Sequence, residues 1–340
     1  MFRRLLFFAL LLMSSPALSA QPPAHHGKNG FQNLYGEHTH GFFGIIRARL
    51  SDAWQSYDED RDIVPTVEAV LPQESSTQLR TTWIGHATML IQHRGINVLT
   101  DPMFSQFASP VSFAGPRRIT QPALDLEDLP PIHAVIISHD HYDHLDTATI
   151  KALGNEPKYF VPLGIKKWMI KKGIREDRIH ELDWWESASL TVGGEQVRFT
   201  ATPAQHFSGR SLWNRNKTLW SSWALEWSDF NLWFGGDTGY NEMQFKEIGR
   251  RLGPFDLAFI PIGAYEPRWF MQTVHVNPSE AVQIHLDIGA VQSIGMHWGT
   301  FVLAGEGVLT PPAALARARR EAGLDEEAFR TLAIGEFVLF

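Results

Sequence analysis

The 340-residue chain contains no cysteine. That removes thiolate nucleophiles, disulfide frameworks, cysteine-based zinc sites and a lipid-modified N-terminal Cys. Positive charge is in short supply as well: 30 Lys and Arg face 37 Asp and Glu, for a net charge of −7. A nucleic-acid binder working through a general basic surface is therefore excluded, and no nucleic-acid partner is expected. Neither a GxSxG elbow nor a Walker loop is present, so two common routes to nucleophilic and phosphate chemistry are missing. After the N-terminus no run approaches the ~20 apolar residues that a membrane-spanning helix needs. What the chain does have is apolar bulk and imidazole. Hydrophobic residues make up 44% and charged residues 20%, the balance of a folded chain with a large core. The 15 His and 12 Trp point to metal or proton chemistry among large amphipathic rings.

Met1–Arg4 is a positive start, Leu5–Met13 an unbroken apolar run, and Ser14–Ala20 a small-residue stretch. This is the three-part layout of a secretory signal peptide. Residues 1–20 are assigned to it with cleavage after Ala20, which predicts a periplasmic or secreted protein. Residues 21–78 read as a polar, Pro-punctuated N-terminal arm with one helix around Phe43–Trp54. From 79 to 340, short β-rich runs alternate with helices without a linker or repeat, so one α/β domain is the economical reading. Leu79–Trp83, Thr88–Gln92 and Ile96–Leu99 form a meander. Ile132–Ile137 is a near-continuous apolar run, as a strand buried on both faces requires. Lys158–Val161, Ser189–Val192, Val197–Thr200, Leu232–Phe234, Leu257–Ile260 and Gln292–Met296 are further strands. Asp146 caps a helix over Thr147–Leu153. Asn277-Pro278-Ser279-Glu280 is a capping box with Pro at the first helical position, opening a helix to about Asp287. Pro311–Ala322 is a last amphipathic helix.

Directly after the buried strand comes Ser138-His139-Asp140-His141-Tyr142-Asp143-His144. His139 and His141 are two apart, so in extended chain their rings face one point; Asp143 and His144 follow in the turn and face a second point nearby. Neutral imidazoles and a carboxylate suit a borderline divalent cation such as zinc. A ligand loop at a strand's end is also where an open α/β fold builds its site.

This HxHxDH resembles the signature of the metallo-β-lactamase-fold hydrolases. The resemblance implies an αββα sandwich with one or two metals, completed by a further His, an Asp and a last His at strand ends. The chain supplies His206 after strand 197–200, Asp237 after 232–234 and His297 after 292–296. TWIGHAT (Thr82–Thr88), LTDPMFSQFASP (Leu99–Pro110), GPRR (Gly115–Arg118), SHDHYDHLD (Ser138–Asp146), FGGDTGY (Phe234–Tyr240), GPFDLAFIPIGAYEPRWFM (Gly253–Met271), HVNPSEAVQIHLD (His275–Asp287) and HWGTF (His297–Phe301) are similar to the N-acyl-phosphatidylethanolamine-hydrolysing phospholipase D branch of that family.

Carried over residue by residue, the resemblance implies one metal on His139, His141 and His206 and another on Asp143, His144 and His297, with Asp237 bridging. The expected cofactor is two Zn2+ per chain. Asp143 and Asp237 then belong to the catalytic apparatus, and a metal-activated hydroxide attacks a phospholipid to give phosphatidic acid and the headgroup alcohol. Hydrolysis of a lactone or a small phosphodiester on the same fold is the alternative. A non-enzymatic periplasmic metal-binding protein is a third reading, and the seven-ligand set speaks against it. Asp101 is expected to support a metal-bound His, and His86 to reach the same pocket. Tyr142 is expected to donate to a phosphate oxygen, His275 to contact substrate, and Arg117, Arg118 and Arg268 to grip a phosphate. Arg210–Trp223 interleaves Trp with cations, which suits one wall of an apolar groove at a membrane interface and equally a half-buried strand with a solvated face. The expected partners are thus a phospholipid or other small ester and a peripheral membrane contact, with room for an oligomer.

Overall fold

The computed structural model describes residues 23–35, 47, 64–71, 78–211 and 213–340. The expected signal peptide, and all but Arg47 of the helix expected around Phe43–Trp54, lie outside the described residues. A short ribbon, β1 (His26–Gly27) with β2 (Gly30–Phe31), comes first. The first half of the domain then contains β3 (Arg80–Gly85), β4 (Thr88–His93), β5 (Ile96–Thr100), β6 (Ala134–Ile136), α1 (Thr147–Leu153), β7 (Lys158–Pro162), α2 (Lys166–Lys171) and β8 (Ile179–Leu182). The second half contains β9 (Ser187–Val192), β10 (Glu195–Thr202), β11 (Ser222–Glu226), β12 (Asn231–Phe234), α3 (Gln244–Leu252), β13 (Phe255–Pro261), α4 (Arg268–Met271), α5 (Pro278–Asp287), β14 (Ala290–Met296), α6 (Thr310–Glu321), β15 (Phe329–Thr331) and β16 (Phe337–Leu339).

Two seven-stranded sheets result, ordered β16-β3-β4-β5-β6-β7-β8 and β15-β14-β13-β12-β11-β10-β9. Each begins as an antiparallel meander and continues as parallel strands, β5 to β8 in the first and β12 to β15 in the second. The two-residue period of a strand explains the layering. Met89 and Ile91 of β4 enter the core between the sheets, with Trp83, Phe160, Phe199, Trp223 and Trp233. Leu90, between them, turns to the opposite face and joins Leu99, Val135, Ile150 and Met169 under α1 and α2. Phe160 and Phe199 stack across the sandwich with ring centroids 3.9 Å apart. Phe245, Ile248, Ile284 and Leu315 bring α3, α5 and α6 onto the outer face of the second sheet. This is the αββα sandwich that the sequence led us to expect.

Both helix starts form as read. Asp146 accepts from the Ala148 N–H at 3.1 Å, and Asn277 and Glu280 complete their capping box with two bonds of 2.9 Å. The stretch Arg210–Trp223 differs from expectation. Trp220 and Trp223 are buried in the core, Trp223 within β11, and Trp213 alone among its three Trp stands in solvent, 88% exposed. Strong burial, not an interfacial face, accounts for most of its aromatic content. The described parts of the arm lie against the domain: Val67 donates its N–H to the Ile334 carbonyl at 2.8 Å, and Phe31 to that of Asn216 at 2.8 Å.

Candidate metal centre

The residues picked out in the sequence leave the ends of strands that share one rim of the sandwich. Asp101 follows β5, residues 138–144 follow β6, His206 follows β10, Asp237 follows β12 and His297 follows β14. His86 occupies the turn between β3 and β4, and His275 precedes α5. Gly236 brings the Asp237 loop close to the HxHxDH loop. Its φ is +57°, and a Cβ there would lie 2.5 Å from that of Ser138, so only glycine fits without strain.

The side chains gather into two adjoining sets. In the first, the His141 Nδ1 lies 2.8 Å from the His139 Nε2 and 3.3 Å from the His206 Nε2. In the second, the Asp143 Oδ2 lies 3.3 Å from the His144 Nε2 and 3.5 Å from the His297 Nε2. Asp237 stands between them. Its Oδ2 is 3.9 Å from the Nε2 of both His139 and His206 and 3.1 Å from that of His144, while its Oδ1 is 3.1 Å from the His297 Nε2.

Hydrogen bonds on the far side of His139, His144 and His206 fix which nitrogen of each faces inward. Asp101, fully buried, accepts from the His144 Nδ1 at 2.7 Å and from the Ser138 N–H at 2.6 Å. The Ser138 hydroxyl bridges Asp101 and the His139 Nδ1, at 2.5 and 2.9 Å. The His206 Nδ1 is held by the Val274 carbonyl at 2.9 Å. These contacts turn the Nε2 atoms of His139, His144 and His206 to the centre, the way a protein orients imidazole ligands. The His86 Nε2 meets the Asp143 Oδ2 at 3.0 Å, so His86 orients that carboxylate.

The two sets differ electrostatically. Burial, with neighbouring imidazoles adding to it, pushes His139 well below the ordinary histidine value. Burial also takes His141 down to about 4 and His206 to about 3, outweighing the pull of nearby carboxylates. In the other set burial acts in the same sense but loses. Asp237, Asp143 and Asp101 hold His144 well above the ordinary value, and Asp237 and Asp143 raise His297 to about 9. Burial would raise the Asp143 and Asp237 carboxyls, yet the surrounding imidazoles keep both well below the usual range.

The donor set suits a divalent cation on either side of Asp237. The buried His144 Nε2, His297 Nε2 and Asp237 Oδ1 make no hydrogen bond of good geometry, and a divalent cation taking the place of the ring protons would satisfy all three. Both expected triads form groups able to hold a metal ion, the second joined by His86.

The expected substrate contacts fare unevenly. His275 does come to the centre: it is buried, with its Nε2 4.0 Å from the Asp237 Oδ2 and its ring 5.1 Å from that of His206. Burial lowers its pKa to about 3. Tyr142 lies on the outside of the ligand loop, where its hydroxyl already donates to the Arg210 carbonyl at 2.7 Å and its ring lies under the Arg210 guanidinium. Arg268 does not grip an open anion site. It binds both Glu280 carboxylate oxygens at 2.8 and 2.9 Å and the His275 carbonyl at 2.9 Å, which makes it a brace for His275. Arg118 is buried and bonded to the backbone carbonyls of Met103, Ser105 and Thr120, and Arg117 is exposed. Arg118 is thereby turned toward its own loop and away from the centre.

Two contributors escaped the sequence reading. Ser138 adjoins the ligands, and its place beside His139 was a usable signal. Asn33 had none: its side chain accepts from the His206 N–H at 3.1 Å and donates to the His206 carbonyl at 2.9 Å, across 173 residues.

Residues 96–298 match the profile of the β-lactamase superfamily domain. The chain is 48% identical over 233 residues to N-acyl-phosphatidylethanolamine-hydrolyzing phospholipase D 1 of Caenorhabditis elegans, covering 67% of this chain and 65% of that protein. It is 36% identical over 272 residues to the mitochondrial protein of that activity name in Saccharomyces cerevisiae, covering 74% of this chain and 58% of that one. The chain thus spans about two thirds or less of these relatives' length. Among solved structures, the isothiocyanate hydrolase from Delia radicum gut bacteria superposes with a TM-score of 0.60 at 19% identity, over 77% of this chain and 99% of that one. The metallo hydrolase Igni18 of Ignicoccus hospitalis gives 0.58 at 20%, over 78% and 99%. Likeness at that identity speaks for the fold alone.

Proposed function

The chain belongs to the metallo-β-lactamase-fold hydrolases, and on that premise we propose that it is a binuclear zinc phosphodiesterase of the phospholipase D type, acting on N-acyl-phosphatidylethanolamine-like lipids. The observation that carries this reading is Asp237, whose carboxylate stands between the two ligand triads, its Oδ2 3.9 Å from His139 and His206 and 3.1 Å from His144, and its Oδ1 3.1 Å from His297. His139, His141 and His206 would hold one cation, and Asp143, His144 and His297 the other. When bound, such a pair supplies Lewis acidity toward a phosphoryl oxygen and lowers the pKa of a water toward neutrality. The chain's own residues do the rest. Asp101 and Ser138 hold the His144 and His139 rings, and His86 holds Asp143. His275, kept neutral by burial, presents its Nε2 to the centre, where it can donate a hydrogen bond to a phosphoryl oxygen. Arg268 steadies that residue through its carbonyl.

A lipid substrate agrees with the surface beside the ligand loop. A cavity of about 520 Å3 is lined by Tyr142, Lys167, Trp168, Lys171, Lys172 and Arg210. Asn214 also lines it, its chain neighbour Trp213 stands 88% exposed, and Phe113, three residues along the chain from the lining Pro110, stands 79% exposed. Exposed rings beside cations suit the headgroup level of a bilayer, and peripheral contact there belongs to the reading. Export directed by residues 1–20 belongs to it too, and a mature N-terminus near Gln21 is its expected mark. The names of the curated relatives favour a phospholipid over a lactone. Turnover of N-acyl-phosphatidylethanolamine vesicles in water labelled with heavy oxygen tests the reaction. Label in phosphatidic acid supports attack at phosphorus; label in the released alcohol or in a freed fatty acid, or lactone hydrolysis without lipid turnover, overturns it.

A further inference from the structure

Away from the rim, His25 and His26 converge on one carboxylate. The His25 Nε2 lies 2.6 Å from the Asp183 Oδ1 and the His26 Nε2 lies 2.7 Å from the Oδ2. The two rings stand 4.6 Å apart at 81°, close to the 4.4 Å and 80° of the His139 and His141 pair. Adjacent histidines in a turn reproduce the ring arrangement that the extended HxH gives at the main centre. The rings are also held in place: His25 stacks on Trp184 with centroids 4.2 Å apart, and His26 meets Phe31 edge-on at 5.2 Å. The His25 side chain is nearly buried, while those of His26 and Asp183 are 30% and 14% exposed, so a water has access from one side.

The geometry points to a further divalent-cation site at His25, His26 and Asp183, separate from the rim centre and independent of what that centre hydrolyses. Two imidazoles, one carboxylate and a water are a tetrahedral donor set for zinc. Tetrahedral zinc sets its ligand atoms about 3.3 Å apart, so each imidazole–carboxylate contact needs to open by less than 1 Å, and the 2.8 Å His139–His141 contact at the rim would need to open in the same way. The site would clip the N-terminal arm to the corner between β8 and β9, where the chain passes from one sheet to the other. The same arm carries Asn33, which holds the His206 backbone. The clip therefore anchors a segment that braces a rim residue.

The test counts metal in the full chain, stripped with a chelator, reloaded with zinc alone and desalted before elemental analysis. His25→Ala/His26→Ala should hold one zinc equivalent per chain less than the wild type. The same one-equivalent difference should persist when both proteins also carry His139→Ala, whatever the rim centre then retains, so failure of the rim reading leaves the result distinguishable. Equal zinc in the wild type and the double variant overturns the site. Because losing both rings can release the arm, His26→Gln provides a milder control. It should weaken zinc binding at the clip at least about tenfold in a chelator competition, and an unchanged zinc affinity overturns the proposal as well.

Discussion

The two halves of the rim centre face the same carboxylate but are built to opposite electrostatic plans. His139, His141 and His206 form a nitrogen-only pocket in which burial keeps the rings neutral. Asp143, His144 and His297 form a carboxylate-rich pocket whose acids hold imidazoles as cations in the metal-free chain. A dication entering the first half meets lone pairs that are already free. One entering the second must displace protons, because histidine ligates only when deprotonated. The difference teaches that two triads of equal size need not load alike. Asp237 is the residue through which each half feels the other.

Removing that shared residue should have the largest effect. Asp237→Asn should lower turnover at least about 10^3-fold, since metal-assisted charge stabilisation is worth several kcal/mol and each 1.36 kcal/mol is tenfold. Steady-state rates with metal content measured alongside check this, and a loss under tenfold with both metals retained would reduce Asp237 to a bystander.

The pH dependence sharpens the contrast. His297, raised to about 9, is protonated at neutral pH and must lose that proton to ligate. Zinc affinity of the carboxylate-rich half should therefore rise with pH, about tenfold per pH unit for each proton displaced, with the His297 share of that slope ending near pH 9. The nitrogen-only half, with His141 at about 4 and His206 at about 3, should be flat from neutral pH upward. In the metal-free chain the raised His297 stabilises the fold fully below the ordinary value near 6.5, and that contribution is lost as pH rises through about 9. Calorimetric titrations in buffers of different ionisation enthalpy count the protons, and equal proton release by the two binding events would erase the distinction.

Asp101→Asn comes next, at about a 10–100-fold loss of zinc affinity in the half that contains His144. A comparable loss confined to the nitrogen-only half would contradict the assignment. Asn33→Ala should be the mildest, costing about 1–3 kcal/mol for the unpaired His206 backbone groups, visible as a lower Tm with most turnover retained.

How far these features could be read in advance depended on sequence distance. HxHxDH was legible because a strand end and its turn place all four side chains locally, and Asp146 and the Asn277 box were legible because capping is equally local. His206, Asp237 and His297 carry no local pattern and were reached only through resemblance to a family. β11 went unread because SWALE is short and follows a Trp- and cation-rich loop, although it lies deep within the second sheet. The α2 segment KKWMIK is half lysine and hides its single buried residue, Met169. Arg268 looked free because its partner Glu280 lies twelve residues on, across a turn, and the Asn33 bond to His206 joins residues 173 apart.

The central claim is that two divalent cations sit on either side of Asp237. Anomalous diffraction at the zinc edge from crystals of the zinc-loaded protein tests it most directly. The account predicts two peaks flanking that carboxylate, roughly 3.5–4 Å apart, one among His139, His141 and His206 and the other among Asp143, His144 and His297. A single peak at the rim, or two that do not share Asp237, would contradict it.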